Sequence, residues 1–326
     1  MDSESSYHEP VLVVPVVETL VTDLSGLYLD ATAGGGGHSE AILQQLDQQG
    51  SVVALDKDED AIAQLYRLRE SYGDRLEILH GDFADAEQIL AANRSQPRPL
   101  AGALFDLGVS SHQINAAARG FSYHQDGPLD MRMDCSSGVP AGQLLAQVSE
   151  ADLVDLIRRY GEEWSARRIA RSICRRRQAT DGMVTTAQLR AAIAATGPKH
   201  LTKTLARVFQ ALRIAVNGEL ERLSDGLDGA ISMLAPGGRL AVISYHSLED
   251  RVVKGKLNEL VKGCLCPPRL TVCVCGRQPE FKSLSRKSIR PDEAELERNN
   301  RSRSARLRVF EKMIRTANDP MEEGNR

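Results

Sequence analysis

The feature that most constrains this chain is a run of four glycines, Gly34 to Gly37, set between two apolar stretches. Ahead of it lies Leu27-Tyr28-Leu29-Asp30, a short strand pattern closing on an acid. Behind it Ala41, Ile42 and Leu46 recur at helical spacing, and Val52-Val53-Ala54-Leu55 is a second strand pattern that runs into Asp56. Glycines at a strand-to-helix junction let the backbone take positive φ and approach a ligand closely. The acid after the second strand lies about 20 residues beyond the turn, where ribose-binding carboxylates of nucleotide-binding sheets sit. The stretch predicts a β-α-β unit built to hold a nucleotide-like ligand.

The same rhythm continues. Helical patterns are expected over 60–72 and 86–93, and strands over 76–80 and 101–107, giving β-α-β-α-β-α-β. Such alternation predicts a doubly wound, mainly parallel sheet whose ligands bind outside the carboxyl ends of the strands. A short helix is expected before the sheet, within 11–24. From Gly108 to about Gly197 there is no convincing strand. Helices there start at two capping boxes, Ser149 to Asp152 and Thr185 to Gln188. A helix or helix pair over 205–234 leads back. Ala235-Pro236-Gly237-Gly238 is expected to stop it before a fifth strand over 239–245, a helix over 248–262 and strands near 281–285 and 305–310. The expected organisation is a sheet domain in two parts, 1–110 and 206–316, interrupted by a helical substrate-recognition insertion over 111–205. Residues 1–9 read as a mobile tail and 317–326 as a disordered one.

With 326 residues, the chain is long enough for one large α/β domain plus an insertion. Its formal net charge of −3 sets up no global field for nucleic acid, so partners must be argued from local charge. No apolar run reaches transmembrane length, and the acidic Met1-Asp2-Ser3-Glu4 start lacks the order of a signal peptide. A cytoplasmic protein without a membrane partner is expected.

The ligand can be narrowed. A dinucleotide fingerprint needs G-x-G-x-x-G, but from Gly34 its third glycine falls on Ser39 and from Gly35 on Glu40. A P-loop needs a Gly-Lys-Ser/Thr end, which is missing. What remains, Asp30-x-Thr32-x-Gly34-x-Gly36, resembles the first motif of class I S-adenosylmethionine-dependent methyltransferases, with Thr32 in place of one glycine. In that reading Asp56 takes the ribose hydroxyls, Asp82 and Phe83 sit where the adenine edge is read, and Asp106 ends strand four where the methyl group meets its acceptor.

A longer series of segments carries a more specific resemblance. It includes His8-Glu9-Pro10-Val11-Leu12, Gly36-Gly37-His38-Ser39, Asp106-Leu107-Gly108-Val109-Ser110-Ser111, Arg119-Gly120-Phe121-Ser122 and Asp126 to Asp134. It continues through Tyr160-Gly161-Glu162-Glu163, Phe209 to Ile214, Leu234 to Leu240, Ser244 to Arg251 and Arg301-Ser302-Arg303-Ser304-Ala305. In order and over nearly the whole length, these resemble the bacterial small-subunit rRNA cytosine-N4 methyltransferase family. The resemblance implies a class I Rossmann-like methyltransferase domain with an inserted helical domain. It also implies S-adenosylmethionine as cofactor and 16S rRNA of the small ribosomal subunit as partner. The implied reaction is methylation of the exocyclic N4 of a cytidine in the decoding region. Cofactor contacts carry over to Gly36, Gly37, His38, Asp56, Phe83, Asp106 and Gln113. The chain departs from the family's pattern at the four-glycine run and at Asn300, where a proline often stands.

Two residues are expected to be catalytic. Asp106 can accept a hydrogen bond from the amine, whose lone pair is delocalised into the cytosine ring. His246, after strand five, reads either as a general base or as a loop-holding residue. Amino-methyltransferases often end strand four in Asp/Asn-Pro-Pro-aromatic. Here Asp106-Leu107-Gly108-Val109 lacks the aromatic, and Phe121, Tyr123 and Tyr245 are candidates to stack on the base or simply to pack. Arg132 reads as a phosphate contact or as an internal pair to Asp130 or Asp134. Arg158, Arg159, Arg167, Arg168, Arg171, Arg175, Arg176 and Arg177 crowd one stretch; a solvated helix face is the usual source of such a run, but its nearly single sign within the insertion favours contacts to an rRNA backbone, extended by a second set, Lys282, Arg286, Lys287, Arg290, Arg301 and Arg303. Cys264-x-Cys266 and Cys273-x-Cys275 read either as a structural zinc clip or as reduced surface thiols; their spacing departs from the C-x2-C of common zinc sites, so thiols without a metal are expected. Two other functions stay open: an amino-methyltransferase acting on DNA or protein, and a non-catalytic RNA-binding assembly factor. Homodimerisation is also open.

Overall fold

In the computed structural model, residues 10–93, 98–179, 182–267, 269–270 and 272–314 are described, without the side chains of Ser111 and Asn300. His8, Glu9 and both expected tails lie outside them. In chain order the first elements are α1 (Val13–Leu20), β1 (Leu27–Asp30), α2 (Gly37–Gln45), β2 (Ser51–Asp56), α3 (Glu59–Tyr72), β3 (Leu76–His80), α4 (Ala86–Asn93) and β4 (Leu100–Asp106). Then come α5 (Ser111–Asn115), α6 (Ala141–Gln147), α7 (Glu150–Gly161), α8 (Ala166–Ala179), α9 (Thr186–Ala194), α10 (Leu201–Asn217) and α11 (Glu219–Met233). The chain closes with β5 (Leu234–Ser244), α12 (Ser247–Lys262), β6 (Phe281–Ser283), α13 (Glu293–Arg298) and β7 (Arg306–Lys312).

Among the described residues, the seven strands form one sheet in the order β3-β2-β1-β4-β5-β7-β6. β1 to β5 run parallel, and β7 inserts antiparallel between β5 and β6. The order reverses between β1 and β4, which makes the carboxyl ends of those two strands the switch point where ligands of open α/β sheets bind. This is the class I Rossmann-like arrangement that the resemblance implied. Side chains alternate between two cores, as the period of a strand requires. Leu27, Leu29, Val53, Leu55, Phe105 and Val242 face Leu90, Leu227 and Leu257 of α4, α11 and α12. Tyr28, Val52, Ala54, Leu104 and Ile243 face Val16, Leu20, Ile42 and Leu65 of α1 to α3. Burial on both faces explains why these strands read as continuous apolar runs.

One local expectation is corrected. The Ala235-Pro236-Gly237-Gly238 segment does not precede the fifth strand but lies inside it. Between Leu100↔Leu234 and Gly102↔Arg239, two steps along β4 match five along β5, so β5 bulges there. Proline and a positive-φ glycine (Gly237, φ 81°) are tolerated in a strand at such a bulge.

The described residues divide into two compact units, 10–108 with 222–314, and 109–221. The second is helical, around Leu145, Leu153, Ile157, Ile169, Ile173, Leu189, Ile193, Val208 and Leu212. Both predicted capping sites form: Ser149 Oγ accepts from Asp152 N–H at 3.1 Å, and Thr185 exchanges bonds with Gln188. Between Gly108 and Gly197 the described residues contain no sheet strand, only the bridge Pro128↔Thr185. The helical unit extends past the expected boundary at 205, because α10 buries Leu205, Val208, Phe209 and Leu212 in the core of that unit.

Candidate functional site

The site is built at the carboxyl ends of β1, β2 and β4. Asp30 closes β1, fully buried, and accepts from Ser39 Oγ at 2.7 Å. Burial pushes its carboxyl above the ordinary carboxylate range, against the lowering effects of nearby His38 and of Ser39. The chain then turns through Thr32 to Gly36. Gly34 (φ 51°) and Gly36 (φ 86°) take left-handed conformations that side chains disfavour. The glycines do different work. A Cβ on Gly36 would strike Leu68 Cδ2 at 2.7 Å and one on Gly37 would strike Pro10 Cγ at 2.8 Å, so both allow close packing. A Cβ on Gly34 would meet only Thr32 O, at 4.0 Å, so that face of the turn is open.

Asp56, at the end of β2, accepts from Gly34 N–H at 2.8 Å and from Asp58 N–H at 2.9 Å. One carboxylate thereby fixes the turn, and each of its oxygens keeps acceptor capacity for a hydroxyl. Desolvation pushes its pKa up to about 6, against those two bonds. The turn residue Thr32 is more than a substitute for glycine. Its hydroxyl accepts the N–H of Asp106 at 2.6 Å and ties the end of β1 to the end of β4.

Asp106 is the centre of the arrangement. Its side chain is 22% exposed, with Oδ2 3.6 Å from His38 Nδ1. Its Oδ1 accepts from the Tyr245 hydroxyl at 2.8 Å. His38 is held from its other side by the Val11 carbonyl, 2.9 Å from Nε2, and since a carbonyl only accepts, Nε2 carries a proton. Desolvation raises the Asp106 pKa to about 6, while His38 and the Tyr245 bond pull it down. Tyr245 is itself held protonated far above its usual range, chiefly by burial and then by the adjacent carboxylate. Its ring lies against Gly108, where a Cβ would come within 3.4 Å of Cδ2. Tyr245 is thus fixed as the donor to Asp106. Of the three aromatics expected to stack on the base or to pack, Tyr245 is the one that bonds to Asp106, which pairs with Ile243 two residues before it.

Asp82 and Phe83 sit at the end of β3. Asp82 Oδ1 caps the next turn through Ala84 N–H at 3.0 Å, and Oδ2 faces Lys57 Nζ at 3.1 Å and Arg222 Nη1 at 3.2 Å. Neither cation was singled out in the sequence. Phe83 packs edge-on to Phe105, centroids 5.7 Å apart, and Gly226 of α11 leaves room for it. Gln113 belongs to the helical unit, where its Oε1 accepts from Ser110 N–H at 3.0 Å in a capping box.

His246 has a structural task. It caps α12, Nδ1 accepting from Glu249 N–H at 3.3 Å, and Nε2 stands 3.1 Å from Glu249 Oε1. The buried Glu249 accepts from the N–H groups of Tyr245 and His246 through Oε2, at 2.8 and 3.1 Å. The unit holds Tyr245 in place, which favours the loop-holding reading of His246.

In the helical unit, Phe121 is a core residue and Tyr123 packs against Phe209 with centroids 5.6 Å apart. Arg132 forms the internal pair, Nε and Nη2 donating to the two oxygens of Asp130 at 2.8 and 2.9 Å. Arg177 is turned inward to the carbonyls of Leu145 and Val148. Arg158, Arg159, Arg167, Arg168, Arg171, Arg175 and Arg176 are exposed, and between α7 and α8 Arg158, Arg167 and Arg171 line a groove with Glu150 and Asp155. Trp164, the chain's one tryptophan, is 92% exposed between those helices and was not singled out in the sequence.

The donor set fits S-adenosylmethionine. A glycine face open at Gly34 lies beside the strand-end carboxyl of Asp56, which keeps acceptor capacity for a hydroxyl, and Asp106 offers a partly exposed carboxyl at the end of β4. Among the described residues no helix is long and apolar enough to cross a membrane.

Comparison with known proteins agrees. A sequence model of the MraW methylase family matches residues 5–313. The chain is 45% identical over 311 residues to Ribosomal RNA small subunit methyltransferase H of Heliobacterium modesticaldum, covering 94% of this chain and 99% of that protein. It is 46% identical over 314 residues to the protein of that name from Thermomicrobium roseum, covering 96% and 95%. With the one from Trichlorobacter lovleyi it shares 43% over 314 residues, covering 95% and 99%.

Proposed function

The chain belongs to the MraW methylase family, and from that premise we propose that it methylates 16S rRNA of the small ribosomal subunit, at the exocyclic N4 of a cytidine in the decoding region. The observation that carries the reading is Asp106 at the switch point of the sheet, its backbone tied by Thr32 and its carboxyl facing Tyr245 and His38. S-adenosylmethionine, when bound, supplies a methyl group activated for transfer. Gly34 to Gly37 and Asp56 form its cradle, Asp56 accepting from the ribose hydroxyls, with Asp82 and Phe83 as further contacts.

Cytosine N4 is a weak nucleophile because its lone pair is shared with the ring. Asp106 accepts an N–H of that amine, favours the pyramidal nitrogen and stabilises the positive charge that develops there. Tyr245 spends its hydroxyl on one oxygen and leaves the other for the substrate. His246 and Glu249 act as positioning residues for Tyr245. In the helical unit, the exposed arginines of α7 and α8 neutralise phosphates, and the exposed Trp164 ring offers a surface for an unpaired base. The work takes place in the bacterial cytoplasm, where subunits mature.

The test combines purified protein, labelled S-adenosylmethionine and small subunits from cells lacking this activity, followed by digestion of the rRNA to nucleosides. Label in N4-methylcytidine from the decoding region is the expected result. Label in DNA, in protein, in another nucleoside or nowhere would overturn the assignment.

A further inference from the structure

Between α12 and β6 the chain makes a long loop whose described residues form no helix or strand, and its two ends are pinned. Gly263 takes φ 65°, and a Cβ there would lie 2.4 Å from the backbone of Gln278 and Pro279. Glu280 N–H donates to Leu260 O at 2.8 Å. The apolar side chains within the loop do not cohere: Leu265, Leu270, Val272 and Val274 are all exposed. A segment of this kind has no core to offset the entropy of ordering it, so something else must hold it.

What converges in the loop is sulfur. Cys264 Sγ lies 3.4 Å from Cys273 Sγ and 3.8 Å from Cys275 Sγ. Cys273 Sγ lies 3.9 Å from Cys266 Sγ and 3.5 Å from Cys275 Sγ. All four lie within 4.8 Å of one another. Disulfides would bring sulfurs to about 2.05 Å, well inside these separations. Four thiolates set tetrahedrally around zinc at ~2.3 Å stand roughly 3.8 Å apart, and the observed distances bracket that value. Val274 N–H points at Cys266 Sγ, 3.4 Å away, a contact that suits a sulfur carrying charge. The spacing C-x-C is unlike the usual C-x2-C, yet the fold brings both pairs to one point.

We propose that Cys264, Cys266, Cys273 and Cys275 form a tetrathiolate site for one structural zinc ion, which clamps the loop between α12 and β6. The set is closed, with four protein ligands and no open position, as structural rather than catalytic zinc requires. On binding, each thiol gives up its proton to solvent and the four sulfurs donate to the metal, with no change of oxidation state. The remaining cysteines, Cys135 and Cys174, lie outside the cluster.

The test uses the full chain, purified without chelator and under mild reduction. Metal analysis and native mass measurement should find one zinc per chain. Native alkylation should label Cys135 readily and spare the four loop cysteines until zinc is removed. Protein stripped of metal and reduced should take up cobalt(II) with the absorption of a tetrahedral thiolate site. Cys264→Ser with Cys273→Ser should lose the metal, while Cys135→Ser keeps it. Reduced wild-type chain that binds neither zinc nor cobalt(II), or whose loop cysteines alkylate equally fast with and without zinc, would overturn the proposal. So would disulfides between these cysteines in freshly isolated protein.

Discussion

Tyr245 donates its hydroxyl to Asp106 across 2.8 Å, although 139 positions separate them in the chain. The bond pulls the Asp106 pKa down against the desolvation that raises it. Tyr245→Phe removes the donor and leaves the ring, so the carboxyl titrates higher. Turnover at pH 7 should fall by about tenfold, and the acid limb of the rate profile should move to higher pH, with the affinity for S-adenosylmethionine nearly unchanged. An unmoved profile would remove Tyr245 from the tuning of Asp106.

Under the proposed mechanism, transfer requires ionised Asp106. The rate at saturating substrates should therefore rise with pH through about 6 and level off above it. Asp56 titrates in the same range, also near 6, but in the proposed mechanism it belongs to the cofactor cradle. Its protonation should weaken S-adenosylmethionine binding, so kcat and the cofactor's Kd followed from pH 5 to 8 separate the two.

The same raised pKa makes a stability claim. The folded chain holds the Asp106 proton up to about pH 6, the unfolded chain only to about 4. Ionising Asp106 therefore costs stability as pH rises from 4 through 6, by at most ~3 kcal/mol for a shift of about two units. Asp106→Asn should abolish transfer yet unfold at a higher temperature than the wild type at pH 8. The advantage should shrink at pH 5, where the wild-type carboxyl is neutral in the fold. Thermal melts at the two pH values check the sign.

Gly34 and Gly36 should separate binding from folding. Gly36→Ala forces a side chain into φ 86° and against Leu68, at roughly 1–3 kcal/mol of stability. Gly34→Ala meets no neighbour closer than 4.0 Å and should cost only about 1 kcal/mol for its φ of 51°. Its methyl projects from the open face of the turn, so S-adenosylmethionine affinity should drop by tenfold or more. Calorimetric binding and melting of both variants give the comparison.

His246→Asn keeps a side chain that can cap α12, and His246→Ala does not. If His246 positions the Tyr245 loop, Asn should retain most activity, while Ala should lose stability by about 1 kcal/mol and activity with it. Equal loss of rate in both, with stability intact, would restore the histidine as a general base.

Much of the fold was legible because its signals are local. The strand and helix runs from Leu27 to Asp106 each carry their own periodicity, and a glycine turn followed by an acid is a pattern within about 25 residues. The two capping boxes at Ser149 and Thr185 were readable for the same reason. The bulge in β5 was not: Pro236 and Gly237 signal a break, and only pairing with β4 shows that the strand continues through it.

By itself, then, the amino-acid sequence determined a parallel sheet with a ligand turn after its first strand and an acid after each of the next three. It also carried the motifs shared with a methylase family. The tertiary structure alone decided what those acids do. Asp56 locks the glycine turn, Asp82 is taken up by Lys57 and Arg222, and Asp106 is held at its backbone by Thr32 and tuned at its carboxyl by Tyr245 and His38. It also gathered four sulfurs whose spacing had pointed elsewhere. The reason is physical. Propensity and periodicity act between near neighbours, whereas the protonation of a carboxylate depends on which distant groups the parallel register of strands brings within about 4 Å of it.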